Sequence, residues 1–152
     1  MSSPDADDRW RAFLLETTPA IHAALAPLRR IAVIGIKPAE SAAPAFYVPE
    51  YAQRAGCTIV PVPTYYPEVV TILGEPVHRT LATIPGRLDI VQLFRRPADI
   101  PAHVDEILAA RPTMVWMQLG IRHDAVAEQL ARGGIQVVQD RCLLVELRAM
   151  GR

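Results

Sequence analysis

Three short stretches carry the residues best suited to hold an anion: Gly35-Ile36-Lys37-Pro38, Phe94-Arg95-Arg96-Pro97 and Asp140-Arg141-Cys142. Each directly follows an apolar run. Lys37 is the only lysine in a chain whose 15 other basic residues are arginines. The glycine before it lets the chain turn tightly and lets a ligand come close to the backbone. Two further apolar runs end in Val62-Pro63 and in Met117-Gln118-Leu119-Gly120. If all five runs are strands of one parallel sheet, Lys37, Arg95, Arg96 and Arg141 gather on a single edge. A neutral protein that collects cations there suits a polyanionic ligand.

The neighbouring residues narrow the anion. The dinucleotide fingerprint G-x-G-x-x-G is missing, since Gly35 is followed by Ile, Lys, Pro, Ala and Glu. No acid ends the second run to hold a ribose diol. Val60-Pro61-Val62-Pro63 is instead apolar and short of N–H donors, a surface for the face of a purine. The phosphate loop G-x-x-x-x-G-K-[ST] is absent as well. What remains is a nucleotide with phosphates near Lys37 and the basic pair, and adenine near Val62 and Pro63.

The elements that must position these residues are legible from periodicity. Trp10, Phe13 and Leu14 share a helical face. Thr18-Pro19 predicts a cap and first turn of a second short helix, which Pro27 ends. Strands are predicted at 31–34, 58–62, 88–94, 113–117 and 135–138, as unbroken apolar runs of a sheet covered on both faces. Helices are predicted at 45–55, 100–110, 124–132 and 141–150, with Gly56 closing the first and Asp124 capping the third. Residues 64–87 read as irregular. Five strands alternating with helices predict an α/β, Rossmann-like, doubly wound parallel sheet, with an N-terminal helical extension over 1–28 and the main domain over 29–152. Ligands of such sheets bind beyond the carboxyl ends of the strands.

Composition bounds the function classes. The chain has 152 residues, 16 basic and 16 acidic, so the net charge is +0. That excludes a broad basic footprint for nucleic acid or acidic membrane. Apolar residues make up 51% and aromatic ones 6%, which predicts an aliphatic core. Two cysteines make neither a disulfide framework nor a metal site by spacing. The acidic N-terminus has no signal-peptide core, and no run is long enough to span a membrane, so the expectation is a cytoplasmic protein.

An ordered set of motifs resembles the small stand-alone CoA-binding proteins, similar in fold to the CoA-binding domain of succinyl-CoA synthetase alpha subunits. The set comprises Ile31-Ala32-Val33-Ile34-Gly35, Tyr51 with Gly56, Val60-Pro61-Val62-Pro63, Ile72-Leu73-Gly74-Glu75, Asp89-Ile90-Val91, Phe94-Arg95-Arg96-Pro97, Val115-Trp116-Met117-Gln118 with Gly120-Ile121, and Asp140-Arg141-Cys142. It covers about residues 29–148. The resemblance implies CoA or an acyl-CoA as ligand. It places the first loop on Gly35, Ile36, Lys37 and Pro38, nucleotide packing on Val62 and Pro63, and the third-strand loop on Phe94, Arg95 and Arg96. The fourth-strand loop falls on Met117, Gln118 and Gly120. The family usually has Ser at the position of Lys37, Asn at that of Pro63, and His at that of Leu147.

The leading function is non-catalytic binding of a small molecule, since no Ser-His-Asp set, paired carboxylates or catalytic His falls on the edge. One rival is a subunit or thiol-transfer partner of a CoA-thioester enzyme. Another is a regulatory interaction protein with a decayed nucleotide site, in which residues 1–28 dock a protein partner. A homo-oligomer is compatible with each. Cys142, beside Arg141 and a helix start, is the candidate reactive thiol, because both features favour a thiolate. Cys57 reads as an inert small hydrophobe. Trp116 and Tyr51 read as packing, Asp89 as hydrogen-bonded structure, and His22, His78, His103 and His123 as surface or capping residues with no metal spacing.

Overall fold

The computed structural model describes residues 7–152. The acidic start of the chain, through Ala6, lies outside the described residues. The central sheet has strands β1 (Arg30–Ile34), β2 (Thr58–Val62), β5 (Ile90–Leu93), β6 (Met114–Met117) and β7 (Gln136–Val138), with β3 (Thr71–Ile72) and β4 (Glu75–Pro76) forming a small hairpin beside it. All neighbours in the five-stranded sheet run parallel, in the order β2-β1-β5-β6-β7. The α-helices are α1 (Thr18–Leu25), α2 (Pro44–Arg54), α3 (Val104–Ala110), α4 (Asp124–Arg132) and α5 (Leu143–Ala149). The doubly wound α/β architecture expected from the sequence is the one formed.

Strand alternation divides the core in two. Ala32, Ile34, Val91, Leu93, Val115 and Met117 face α3 and α4, packing on Ile107, Val126 and Leu130. Ile31, Val33, Ile90, Met114 and Trp116 face α1, α2 and α5, packing on Ile21, Leu25, Val48, Ala52, Leu143 and Leu147. Both faces are covered, so the buried positions of the strands are apolar on both sides apart from Gln92 of β5, and this is why they read as near-continuous apolar runs. Trp116 is fully buried, and its indole N–H donates to the Arg141 carbonyl at 2.8 Å. Asp89 Oδ2 accepts from the backbone N–H groups of Arg29 and Arg30, both at 2.9 Å, fixing the entry to β1.

Several local details differ from the sequence expectation. The cap of α1 is Thr17, whose side chain accepts from the Ala20 N–H; Thr18 is the first helical residue and Pro19 the second. The cap of α4 is His123, whose Nδ1 accepts from the Val126 N–H at 3.1 Å, while Asp124 is the first helical residue. The predicted helix at 100–110 begins as a 3-10 segment, Pro97–His103, because Pro97 and Pro101 withhold backbone donors there; α3 starts only at Val104. The supposedly irregular 64–87 stretch contains the β3–β4 hairpin, turning at Leu73 and Gly74 with positive φ.

The N-terminal helices pack onto the sheet. Ile21 and Leu25 are fully buried in the α1/α2/α5 core. Leu14 forms a parallel bridge with Val137, and the Leu15 N–H donates to the Val137 carbonyl at 2.9 Å. At the other edge, the His78 N–H donates to the Pro61 carbonyl at 2.9 Å, placing the chain after the hairpin beside β2.

Candidate functional site

A cleft of about 420 Å3 opens where β1, β5 and β6 end. Its wall is built from Gly35 and Lys37 after β1, Ala43–Ala45 at the start of α2, Phe94–Pro97 after β5 and Gln118–Ile121 after β6. The chain leaves β1 toward β2 on one side, while β5 opens the series of strands on the other. The cleft therefore sits at the reversal of strand order, where open α/β sheets take their ligands.

Gly35 holds the junction. Its φ is +88°, and an added Cβ would overlap the Phe94 carbonyl oxygen. The Gly35 N–H donates to the Val62 carbonyl and the Phe94 N–H to the Ile34 carbonyl, each at 2.9 Å. Only a residue without a side chain lets these three strand ends meet so closely.

The cations of the wall differ in how they are held. Lys37 is exposed and forms no ion pair among the described residues. Arg96 is 84% exposed, with Nε 3.0 Å from Asp99 Oδ2. Arg95 is more enclosed. Its Nε donates to His103 Nε2 at 3.2 Å and one terminal nitrogen donates to Thr64 Oγ1 at 3.2 Å. His103 Nδ1 lies 3.0 Å from Glu106 Oε2, and Glu106 Oε1 accepts from the Leu81 N–H at 3.0 Å. His103 is thus not the surface or capping residue expected from sequence, but a half-buried support for Arg95. The signal for it was present in the three-residue spacing of His103 and Glu106, a pair that meets on a helical turn.

Gln118 is buried, and its Oε1 accepts from Gln92 Nε2 at 3.1 Å and from the Leu143 N–H at 3.2 Å. With its oxygen filled, the amide has its N–H groups left to offer. Gln92 itself is fully buried, and its Oε1 has no hydrogen-bond partner among the described residues.

Of the residues singled out from sequence, Gly35, Lys37, Phe94, Arg95, Arg96, Gln118 and Gly120 line this cleft. Ile36, Val62 and Met117 are buried in the cores, Pro63 is buried, and Pro38 is half-buried next to Lys37; none of the five belongs to the wall. Leu119 and Ile121, not singled out from sequence, add apolar wall.

Arg141 departs from the expected cluster. Its guanidinium donates to Thr18 Oγ1 at 3.1 Å, the Glu16 carbonyl at 3.0 Å and Glu146 Oε1 at 3.4 Å. It lines a separate cleft of about 320 Å3 with Leu14, Leu15, Glu16, Arg122, Val137, Gln139 and Asp140. The expected four-cation edge is therefore three cations and a clasp. Cys142 is half-buried just before α5 and is not part of the main cleft's wall. Cys57 is buried, and burial pushes its thiol up, with the cations of Arg152 and Arg29 working against that rise. Among the described residues, no group of three or more His, Cys, Asp and Glu side chains could hold a metal ion, and no helix is long and apolar enough to cross a membrane.

Fold and cleft together define a Rossmann-like α/β protein whose strand-end cleft is lined by cations. A family model described as a CoA-binding domain matches residues 29–148, and the chain belongs to that family. The protein YneT of Bacillus subtilis, described as uncharacterized, is 31% identical over 117 residues, which cover 77% of this chain and 84% of YneT. Among solved structures, cell-free ID.343 from Thermus thermophilus is 36% identical with a TM-score of 0.80, covering 89% of this chain and 99% of that one. A hypothetical protein from Pyrococcus horikoshii shares the fold at 23% identity and a TM-score of 0.80, over 90% of this chain and 94% of its own.

Proposed function

We propose that the chain binds CoA or an acyl-CoA in the cleft at the ends of β1, β5 and β6, and that it holds the ligand without transforming it. The observation that carries this reading is the chemistry of the wall. Its charged groups are Lys37, Arg95 and Arg96, all cationic, and it includes no carboxylate, hydroxyl, thiol or imidazole. Cations at the switch point suit the phosphates of CoA. Phe94, Leu119 and Ile121 supply apolar contact for an arm, and Gln118 supplies an N–H donor for its carbonyls. Membership of the CoA-binding domain family points to the same ligand. A site that binds substrate and transition state alike does not accelerate a reaction, and a wall whose only ionisable groups are the Lys37 ammonium and two guanidiniums fits that role.

Calorimetric titration with CoA, acetyl-CoA and NAD tests the ligand. Tighter binding of the CoA compounds than of NAD is expected, because β2 ends without the acid that would hold a ribose diol. Tighter NAD binding overturns the assignment. Incubation with acetyl-CoA, followed by mass analysis of the ligand, is expected to return it unchanged; hydrolysis abolished by Lys37→Ala would replace binding with catalysis.

A further inference from the structure

We infer that Glu106 and His103 form a relay that aims Arg95 at the anionic part of the ligand, and that the aim holds only while His103 is neutral. The identity of the ligand rests on the CoA reading above; the relay itself rests on geometry.

Arg95 Nε carries a hydrogen and can only donate, so His103 Nε2, 3.2 Å away, must present a lone pair. The ring's single proton is then on Nδ1, where Glu106 Oε2 accepts it at 3.0 Å. Glu106 is in turn fixed by the Leu81 N–H at 3.0 Å. The chain runs from the backbone of one turn, through a carboxylate on α3 and an imidazole at the end of a 3-10 helix, to a guanidinium in the cleft wall. Its centre is sheltered, with the His103 side chain 14% exposed and that of Arg95 26%. A guanidinium held on its inner side at Nε and at one terminal nitrogen keeps N–H groups free for a ligand, in a fixed fork that matches phosphate.

The same contact makes the arrangement sensitive to protons. Imidazole is the side chain whose charge changes between about pH 5 and 8. A proton on Nε2 would set two donors and two cations against each other, and Arg95 would lose its inner anchor. The charged groups facing His103 are Arg95 from the loop after β5 and Glu106 from α3. Asp99, on the same 3-10 helix, acts through Arg95, at 3.9 Å. The 81–83 turn brings only the Leu81 N–H, and the loop after β2 brings the neutral Thr64.

The test is a comparison of CoA affinity at about pH 5.5 and about pH 7.5, either side of the ordinary imidazole range. The proteins are the wild type, Arg95→Met, His103→Gln and the double variant, at constant ionic strength. The His103→Gln background controls for the titration of CoA's own phosphate, whose charge also sets what Arg95 contributes. Arg95→Met is expected to raise Kd about 10–100-fold at the higher pH and less than about 3-fold at the lower, on the scale of a charge-assisted hydrogen bond. In the His103→Gln background the factor should change with pH clearly less than in the wild type, by only what the phosphate's second charge dictates. An Arg95 factor that is pH-independent in the wild type, larger in acid, or as pH-dependent in the His103→Gln background as in the wild type, overturns the relay while leaving CoA binding intact. No CoA binding by the wild type at either pH removes both readings. Ring nitrogen shifts of His103 in the wild type give a check that needs no variant: a hydrogen on Nδ1 at neutral pH is expected, and one on Nε2 overturns the inference.

Discussion

Two clefts lie at the carboxyl ends of this sheet, and arginines border both. In the one between β1, β5 and β6, Lys37 is exposed with no ion pair among the described residues, and Arg96 is 84% exposed with only Asp99 beside it. In the one beside β7, Arg141 is spent on Thr18, Glu16 and Glu146. The difference is what the N-terminal segment does. It folds back across β7 and consumes the arginine it meets, whereas nothing in the described chain crosses the ends of β1 and β5. Position beyond a strand end makes a cation available; only an open strand end leaves it so.

The sharpest way to break that contrast is to close the open cleft from below. Gly35→Ala meets both a positive φ and the Phe94 carbonyl, and should cost about 3–5 kcal/mol of stability in denaturant melts, together with ligand binding. Gly120→Ala is the control: its φ is +84° but nothing stands within 4 Å of an added Cβ, so about 1–2 kcal/mol is expected.

Arg141→Ala should come next, at about 2–4 kcal/mol, because it strips the buried Glu146 carboxylate of a partner and frees the N-terminal segment. CoA affinity should not change. A weakened affinity in a folded variant would mean that the two clefts are one functional site.

The mirror experiment is smaller. Lys37→Ala and Arg96→Ala should each weaken CoA about tenfold by calorimetry with little change in melting, while Arg54→Ala, on the exposed side of α2, should do neither. Equal effects of all three would erase the distinction between site and surface.

The smallest effect is expected at the other end of the sheet, at Cys57. Burial raises its thiol, so the folded protein keeps that proton to higher pH than the unfolded chain does. The unfolded state therefore sheds the proton first, and stability falls as pH climbs above about 8.5. Melts between about pH 7 and 9.5 should show Cys57→Ala losing less stability over that range than the wild type, by under about 1 kcal/mol. A steeper loss in the variant would contradict the direction.

The strands were readable because burial on both faces forces uninterrupted apolar runs such as Ile31–Ile34 and Met114–Met117. The β3–β4 hairpin escaped notice because two-residue strands carry no periodicity. Thr17 and His123 displaced Thr18 and Asp124 as caps by one residue, a distance that sequence pattern does not resolve. The three cations of the cleft followed from their positions just past the ends of apolar runs. The diversion of Arg141 did not, since it depends on residues 16–18 reaching it from more than a hundred positions away. At His103 the three-residue spacing to Glu106 carries the signal for a pair but not for Arg95, which reaches the ring from the loop after β5.

The bridge between Leu14 and Val137 has a further consequence. Parallel sheets end in strands with free backbone groups, and such edges recruit other chains into aggregates. Here β7 has its open side occupied by the N-terminal segment at Leu14 and Leu15. On the opposite border, Pro61 has no N–H to offer and its carbonyl is taken by His78. The sheet is thus blunted at both borders, and growth by strand addition is discouraged during the concentration swings a cell imposes. A truncation that removed residues up to Glu16 would leave the strand order intact and yet expose one border, so its first symptom should be loss of solubility rather than loss of ligand.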